Sequence, residues 1–299
     1  MHQSIRPLTH ARSKATAVLQ TIALVVIGAL AASACSTTGS QAVGTLGELG
    51  AEQTNGLVAT SPTPASQPES VPTASALPID RRSLDAYFET VPAGGRLPTE
   101  AACAQAVRSA PSPETHSQNI AANAKAGGPS VRIDGADEFW NGVLAPRITG
   151  NFTGSTDDLI RWVACKWGFD EDLTRARAWT ESSWDVGTRG DRTSDAQQCS
   201  LIGLDSPCFQ SYGLLQVKGT VHEGTFPFAH ESSAWGLDYA MAWQRACFEG
   251  SFEWLIDSGY TANDVRGCVG AWFSGEWYDS LAAGYLGDVD QNLARRPWD

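Results

Sequence analysis

From about residue 157 onward, large apolar residues recur every three or four positions and are separated by short polar breaks carrying Gly, Asp or Ser. That spacing predicts amphipathic helices at about 157–167, 171–184, 234–248, 262–273 and 279–294. The first opens on Ser155 or Thr156 as N-cap and stops at Gly168. The second has Asp170 as its N-cap, and Glu171 and Asp172 suit the positive end of its dipole. Upstream the spacing is weaker. Ser83 to Val91 reads as one short helix, and Pro98-Thr99 opens a second over EAACAQAVRS. Residues 110–130 are polar and loop-like. No alternating run of four or more residues and no internal repeat occurs, so the fold class expected is mainly α.

The aromatic content sharpens where the core lies. All 11 Trp fall from Trp140 onward, while the first 80 residues are nearly devoid of aromatics and cannot offset the entropy of ordering the chain. Residues 1–34 read as an export signal: Arg6, Arg12 and Lys14, then an apolar stretch from Ala15 to Leu30, then small residues before Cys35. The apolar stretch is short for a spanning helix. Ala32-Ser33-Ala34-Cys35 resembles a bacterial lipobox, with Ala32 where Leu is usual, and the resemblance implies a diacylglycerol on Cys35. Ordinary signal-peptidase cleavage after an A-x-A is the alternative, and both imply export. Residues 35–82, rich in Ser, Thr, Pro and Ala, read as a disordered tether. Residues 83–130 form an N-terminal extension with short helices, and 131–299 the main domain. The net charge of −12, with the basic residues of 1–34 included, disfavours nucleic acid as a partner.

Setting Cys35 aside leaves Cys103, Cys165, Cys199, Cys208, Cys247 and Cys268, an even number in an exported chain, which favours disulfides. Six cysteines allow fifteen pairings. Closeness in sequence suggests Cys199 with Cys208, and helix placement suggests Cys247 with Cys268. Cys103 with Cys165 is then left, a clasp between the extension and the helical domain. Zinc is the competing reading, but no CxxC is present.

Candidate chemistry sits in three segments: Glu181-Ser182-Ser183-Trp184-Asp185 at the end of a predicted helix, Gly213-Leu214-Leu215-Gln216 after a loop, and Ala271-Trp272-Phe273-Ser274-Gly275 on a later helix. In this order they resemble the motifs of the lysozyme-like lytic transglycosylases of the SLT type, relatives of the goose-type lysozymes, and Ser233 to Tyr239 resembles the segment between the second and third. The resemblance covers roughly residues 157–295. It implies a lysozyme-like helical domain that acts without cofactor or metal on peptidoglycan glycan strands, cleaving between N-acetylmuramic acid and N-acetylglucosamine. Glu181 is then the catalytic acid and base, and Ser211, Tyr212, Gln216, Trp272 and Tyr278 are candidate sugar contacts. Two departures stand out. Leu215 replaces the family's methionine, and Trp272-Phe273 replace its Tyr-Asn, so the tyrosine hydroxyl that approaches the family's glutamate has no counterpart there. Tyr212 or Tyr278 is expected to supply it.

A glutamate suits this chemistry because an apolar, aromatic surround keeps a carboxyl protonated near neutral pH, ready to protonate a leaving glycosidic oxygen. Trp179 and Trp184 are the neighbours expected to provide it. Alternatives stay open: Glu181 as a surface charge facing Arg177, Gln216 as a bridge between loop backbone groups, the aromatics as core. A noncatalytic envelope-binding protein is another reading. An inverting hydrolase needs a second carboxylate to activate water, for which Asp185, Asp191, Asp195 and Asp205 are candidates by position. His222-Glu223 and His230-Glu231 lack zinc-protease spacing, and Asp288-Val289-Asp290 lacks the rest of a calcium loop. Asn151-Phe152-Thr153 fits a glycosylation triplet. If Cys35 is lipidated, Cys35→Ser leaves the precursor uncleaved or releases the protein from the membrane fraction. Membrane retention unchanged by that substitution, with the signal removed, contradicts lipidation there.

Overall fold

The computed structural model describes residues 89–299; the signal, the tether with Cys35, and most of the Ser83–Val91 segment lie outside the described residues. Residues 89–91, at its end, are not helical. The described chain is mainly α. Its helices are α1 (Glu100–Ser109), α2 (Ile120–Asn123), α3 (Glu138–Leu144), α4 (Thr156–Trp167), α5 (Glu171–Ser182), α6 (Ala196–Leu201), α7 (Phe228–Glu231), α8 (Ser233–Phe248), α9 (Val265–Ser274) and α10 (Ser280–Arg295). Short 3-10 turns occupy Ser117–Asn119, Ala145–Arg147 and Glu253–Ser258.

The helix ends follow the capping chemistry expected of them. Ser155 caps α4 in a reciprocal box with Asp158, and Gly168 ends it in the left-handed region at φ 65°. A Cβ at Gly168 would also meet Val91 and Leu97 side chains at 2.8 and 2.9 Å. Asp170 caps α5 by accepting from Leu173 N. That helix stops two residues before the expected 184, because Ser183 and Trp184 both take positive φ. The turn sends the Trp184 indole back to donate to Arg175 O at 3.1 Å, buried. Asp264 caps α9 and starts it at Val265 rather than 262.

The sequence shows no strand signal, yet the chain has a small antiparallel sheet, β1 (Arg189–Gly190), β2 (Ser211–Tyr212) and β3 (Val217–Lys218), in the order β1-β2-β3. Arg189 faces Tyr212, and Tyr212 faces Val217. Two-residue strands are too short for any alternation to register. Their tight β2–β3 turn depends on Gly213, at φ 79°, where a Cβ would lie 2.1 Å from Ala229 O.

All sixteen residues of α8 are buried. A helix enclosed on every side forms the centre of a domain rather than one wall, and α8 packs against α4, α7 and α9. Its charged groups therefore need partners inside the protein. Asp238, fully buried, accepts from Thr149 N, Gly150 N, Trp167 Nε1 at 2.7 Å and Lys166 Nζ at 2.7 Å. Lys166 also reaches Glu100 Oε2 of α1 at 2.8 Å. Arg245, lower on α8, pairs with Glu249 and donates to the carbonyls of Val91 and Pro92.

Three disulfides are present: Cys103–Cys165, Cys199–Cys208 and Cys247–Cys268. The first joins α1 to α4 beside Lys166, so the 89–130 region shares the core of the helices that follow; Val107 and Ala122 belong to it. The third joins α8 to α9. Among the described residues no helix is long and apolar enough to cross a membrane, and no group of three or more His, Cys, Asp or Glu side chains could hold a metal.

Removing one partner from a buried ion pair costs about 3–5 kcal/mol, because the other charge stays desolvated. Asp238→Ala is expected to lose that much in denaturant unfolding. Lys125→Ala, at an exposed pair with Glu231, is expected to change stability by less than about 1 kcal/mol. Equal small losses from both would contradict the central role given to Asp238.

Candidate active site

Glu181 sits in the last turn of α5 and opens into a cleft of about 520 Å3. The cleft walls come from α5, the small sheet, the C-terminal end of α9 and the start of α10. Hydrogen bonds tie the three sequence motifs together at this point. Ser182 Oγ donates to Leu214 O at 2.9 Å, joining the first to the second. Trp272 Nε1 donates to Leu215 O at 3.1 Å, joining the third to the second. Leu215 itself is buried and packs in the core.

The hydroxyl at Glu181 comes from a residue the sequence reading does not single out. Tyr285 of α10, 5% exposed, donates to Glu181 Oε1 at 2.6 Å. Its ring stacks parallel on Phe273, centroids 4.6 Å apart. The two residues expected to serve are occupied elsewhere: Tyr212 donates to Phe209 O at 2.6 Å, and Tyr278 to the Asp264 carboxylate at 3.0 Å. Neither lines the cleft. The missed signal is the stripe Ala282, Tyr285, Leu286, Val289, the buried face of α10, in which Tyr285 alone carries a hydroxyl.

Trp179 and Trp184 also lie apart from the cleft. Two positions from Glu181, Trp179 faces another side of α5, and it clusters with Trp184 and His116, while Trp298 stacks on Trp184. The apolar surround of Glu181 is instead Trp272, Phe273, Leu281 and Tyr285. Arg177, one turn before Glu181, turns inward. Fully buried, it donates to Gln244 Oε1 and lies 5.9 Å from the Trp272 ring centroid.

Burial is the main cause that pushes the Glu181 carboxyl up to about 7; Asp191 across the cleft adds to the rise, while the Tyr285 hydrogen bond and the Arg177 charge oppose it. Burial and the adjacent Glu181 hold the Tyr285 hydroxyl well above the usual phenol range, so Tyr285 remains a donor. A carboxyl titrating near 7 can deliver a proton and take one back at neutral pH.

Of the remaining expected contacts, Ser211, Gln216 and Trp272 line the cleft. Gln216, at φ 48°, uses its Nε2 to bridge Thr188 O and Gly213 O, so its amide protons serve the loop. Its Oε1 rests against Gly190, where a Cβ would come within 2.7 Å. Of the four candidate second carboxylates, only Asp191 lines the cleft. Asp185 holds Gly187 N, Asp195 caps α6, and Asp205 is exposed away from the cleft. Asp191 Oδ2 accepts from Ser211 Oγ at 2.7 Å and lies 3.2 Å from Lys218 Nζ. Comparison with protein-family models, with curated proteins and with solved structures finds no match to this chain.

Because Glu181 titrates at about 7 in the fold against an ordinary 4.5, the folded protein holds this proton more tightly than the unfolded chain. That contribution is complete below about 4.5 and is lost as pH rises through about 7. Glu181→Gln has no proton to lose. Between pH 4.5 and 8 the wild type is therefore expected to fall in stability relative to E181Q by up to about 3 kcal/mol. Parallel unfolding curves for the two proteins across that range would contradict the raised value.

Proposed function

We propose that this chain is a lytic transglycosylase with a lysozyme-like helical domain, cleaving peptidoglycan strands between N-acetylmuramic acid and N-acetylglucosamine. The observation that carries the reading is the Glu181 carboxyl, desolvated in a cleft, bonded to Tyr285 and flanked by all three motifs. Glu181 protonates the leaving glycosidic oxygen as the sugar gains oxocarbenium character. As a carboxylate it then takes the proton from the C6 hydroxyl, whose oxygen bonds to C1 and closes a 1,6-anhydro ring. One carboxyl serves both steps. No cofactor enters this reading.

The altered third motif favours a noncatalytic binder only if Glu181 lacks a hydroxyl partner, and Tyr285 supplies one from another helix. A second reading, hydrolysis, has a specific observation in its favour. Asp191 faces the same cleft as Glu181, where it accepts from Ser211 Oγ at 2.7 Å and lies 3.2 Å from Lys218 Nζ. A second carboxyl in the same cleft is what an inverting hydrolase needs to activate water. In the reading put forward, the protein is exported and anchored through Cys35 at the outer face of the cytoplasmic membrane, where the strands are accessible.

General acid catalysis contributes about 10²- to 10⁴-fold, so Glu181→Gln is expected to lose at least about a hundredfold in strand cleavage while keeping its fold. Product analysis on purified peptidoglycan is expected to give anhydro ends, with Asp191→Asn costing far less. Reducing ends together with an equally large loss in D191N would make the protein a hydrolase. Near-normal turnover in E181Q would remove Glu181 from the mechanism.

A further inference from the structure

Beside the catalytic cleft lies a second cavity of about 450 Å3, walled by Trp243, Trp254, Trp272 and Phe273, with Asp134 and His222 among its polar groups. It shares Lys218, Trp272, Phe273 and Ser274 with the cleft, so the two form one trough. Nothing in the acid chemistry at Glu181 uses this annex.

Its polar groups have an unusual balance. The Asp134 carboxylate, half exposed, has no Lys or Arg partner among the described residues; its one charged-pair neighbour is His222 Nδ1, 3.9 Å from Oδ2. His222 is 6% exposed, and its Nδ1 has no hydrogen-bond partner. Burial holds His222 down at about 4, so its ring is neutral at physiological pH and does not neutralise Asp134. The His222 ring is fixed in place, stacked parallel on Trp272 at 5.1 Å and edge-on to Tyr239 at 5.4 Å. Several donors along the annex are already committed. Trp272 Nε1 is bound to Leu215 O, Ser274 Oγ to Gly270 O and Glu276 O, and Lys218 to Asp191.

The Asp134 carboxylate, half exposed and without a Lys or Arg partner among the described residues, suits a ligand that brings donors and positive charge. An ammonium about 2.8 Å from that carboxylate would give it a charge-assisted hydrogen bond. Aromatic walls add attraction for a cation and for the methylenes that carry it. Trp254, 49% exposed, gives such a chain an apolar surface to lie on, and it can sit there because residue 135 is glycine: a Cβ would come 2.8 Å from its Nε1. An anion would meet the unpaired Asp134 instead.

We infer that the annex binds a primary alkylammonium group, and that in the substrate this is the free side-chain amine of the peptide stem attached to the glycan strand. The identity of the molecule carrying the amine rests on the proposed function; the amine site itself does not. Cleavage would then favour strands whose stem amines are free over those in which they are consumed by cross-links.

The test titrates the full chain with Nα-acetyl-lysine amide, following indole fluorescence from Trp254 and Trp272, and repeats it with the Nε-acetylated probe. Binding to wild type is expected, weakened at least about tenfold by Nε-acetylation and by Asp134→Asn, and unchanged in E181Q. Asp134 is half exposed, so D134N is expected to keep the wild-type unfolding midpoint. Absence of binding to wild type, or equal binding of the two probes, or equal binding by D134N, would each overturn the annex assignment. Failure of the glycan-strand reading shows separately, as strand cleavage that does not respond to E181Q.

Discussion

Helix α8 is surrounded on every side, and the structure depends on how the charge at its middle is satisfied. Asp238 lies fully buried and accepts four hydrogen bonds, from two backbone amides, an indole and the Lys166 ammonium. Left bare, a carboxylate in that position would be too costly to bury. Satisfied, it fixes α8 against α4 and the Thr149-Gly150 loop, and Lys166 carries the connection on to Glu100 of α1. The Cys103–Cys165 disulfide crosses between the same two helices one residue from Lys166.

The site is built outward from that helix. Met241 and Gln244 of α8 receive the buried Arg177 of α5, and Arg177 in turn lies beside Trp272 of α9. Glu181 follows Arg177 by one turn, where its carboxyl meets Tyr285 of α10. Opposing influences set its acidity. Burial dominates and holds the proton on; the Tyr285 hydroxyl and the Arg177 charge moderate that effect. Burial lifts the carboxyl from the ordinary 4.5 to about 7 against the pull of that hydroxyl and charge.

The longer helices were legible because capping residues and apolar spacing are local signals, whereas the short α2, α3, α6 and α7 were not expected, α2 lying in a stretch read as loop-like. Ser155, Gly168, Asp170 and the α8 segment each behave as their neighbours in sequence require. The early end of α5 was not legible, since it rests on consecutive left-handed residues at Ser183 and Trp184 and on a distant bond to Arg175 O. The sheet escaped notice because its strands are two residues long and are held by the Gly213 turn. At the site, Glu181, Ser211, Gln216 and Trp272 could be named from motif spacing, whereas Tyr285 could not. Its role depends on α10 folding back across α5, a contact that no spacing within α10 encodes. Tyr212 and Tyr278 were plausible donors by chain position, but each satisfies a nearer acceptor.

Burial keeps Glu181 protonated up to neutrality, with Tyr285 as its moderating partner. This balance is tested most directly by following the Glu181 side-chain carboxyl in a 13C-glutamate-labelled protein through a pH titration, with E181Q identifying the signal. A midpoint near 7, rising further in Tyr285→Phe as the hydrogen bond that favours the charged form is removed, is the result expected. A midpoint near the ordinary 4.5, indifferent to Tyr285→Phe, would contradict the account.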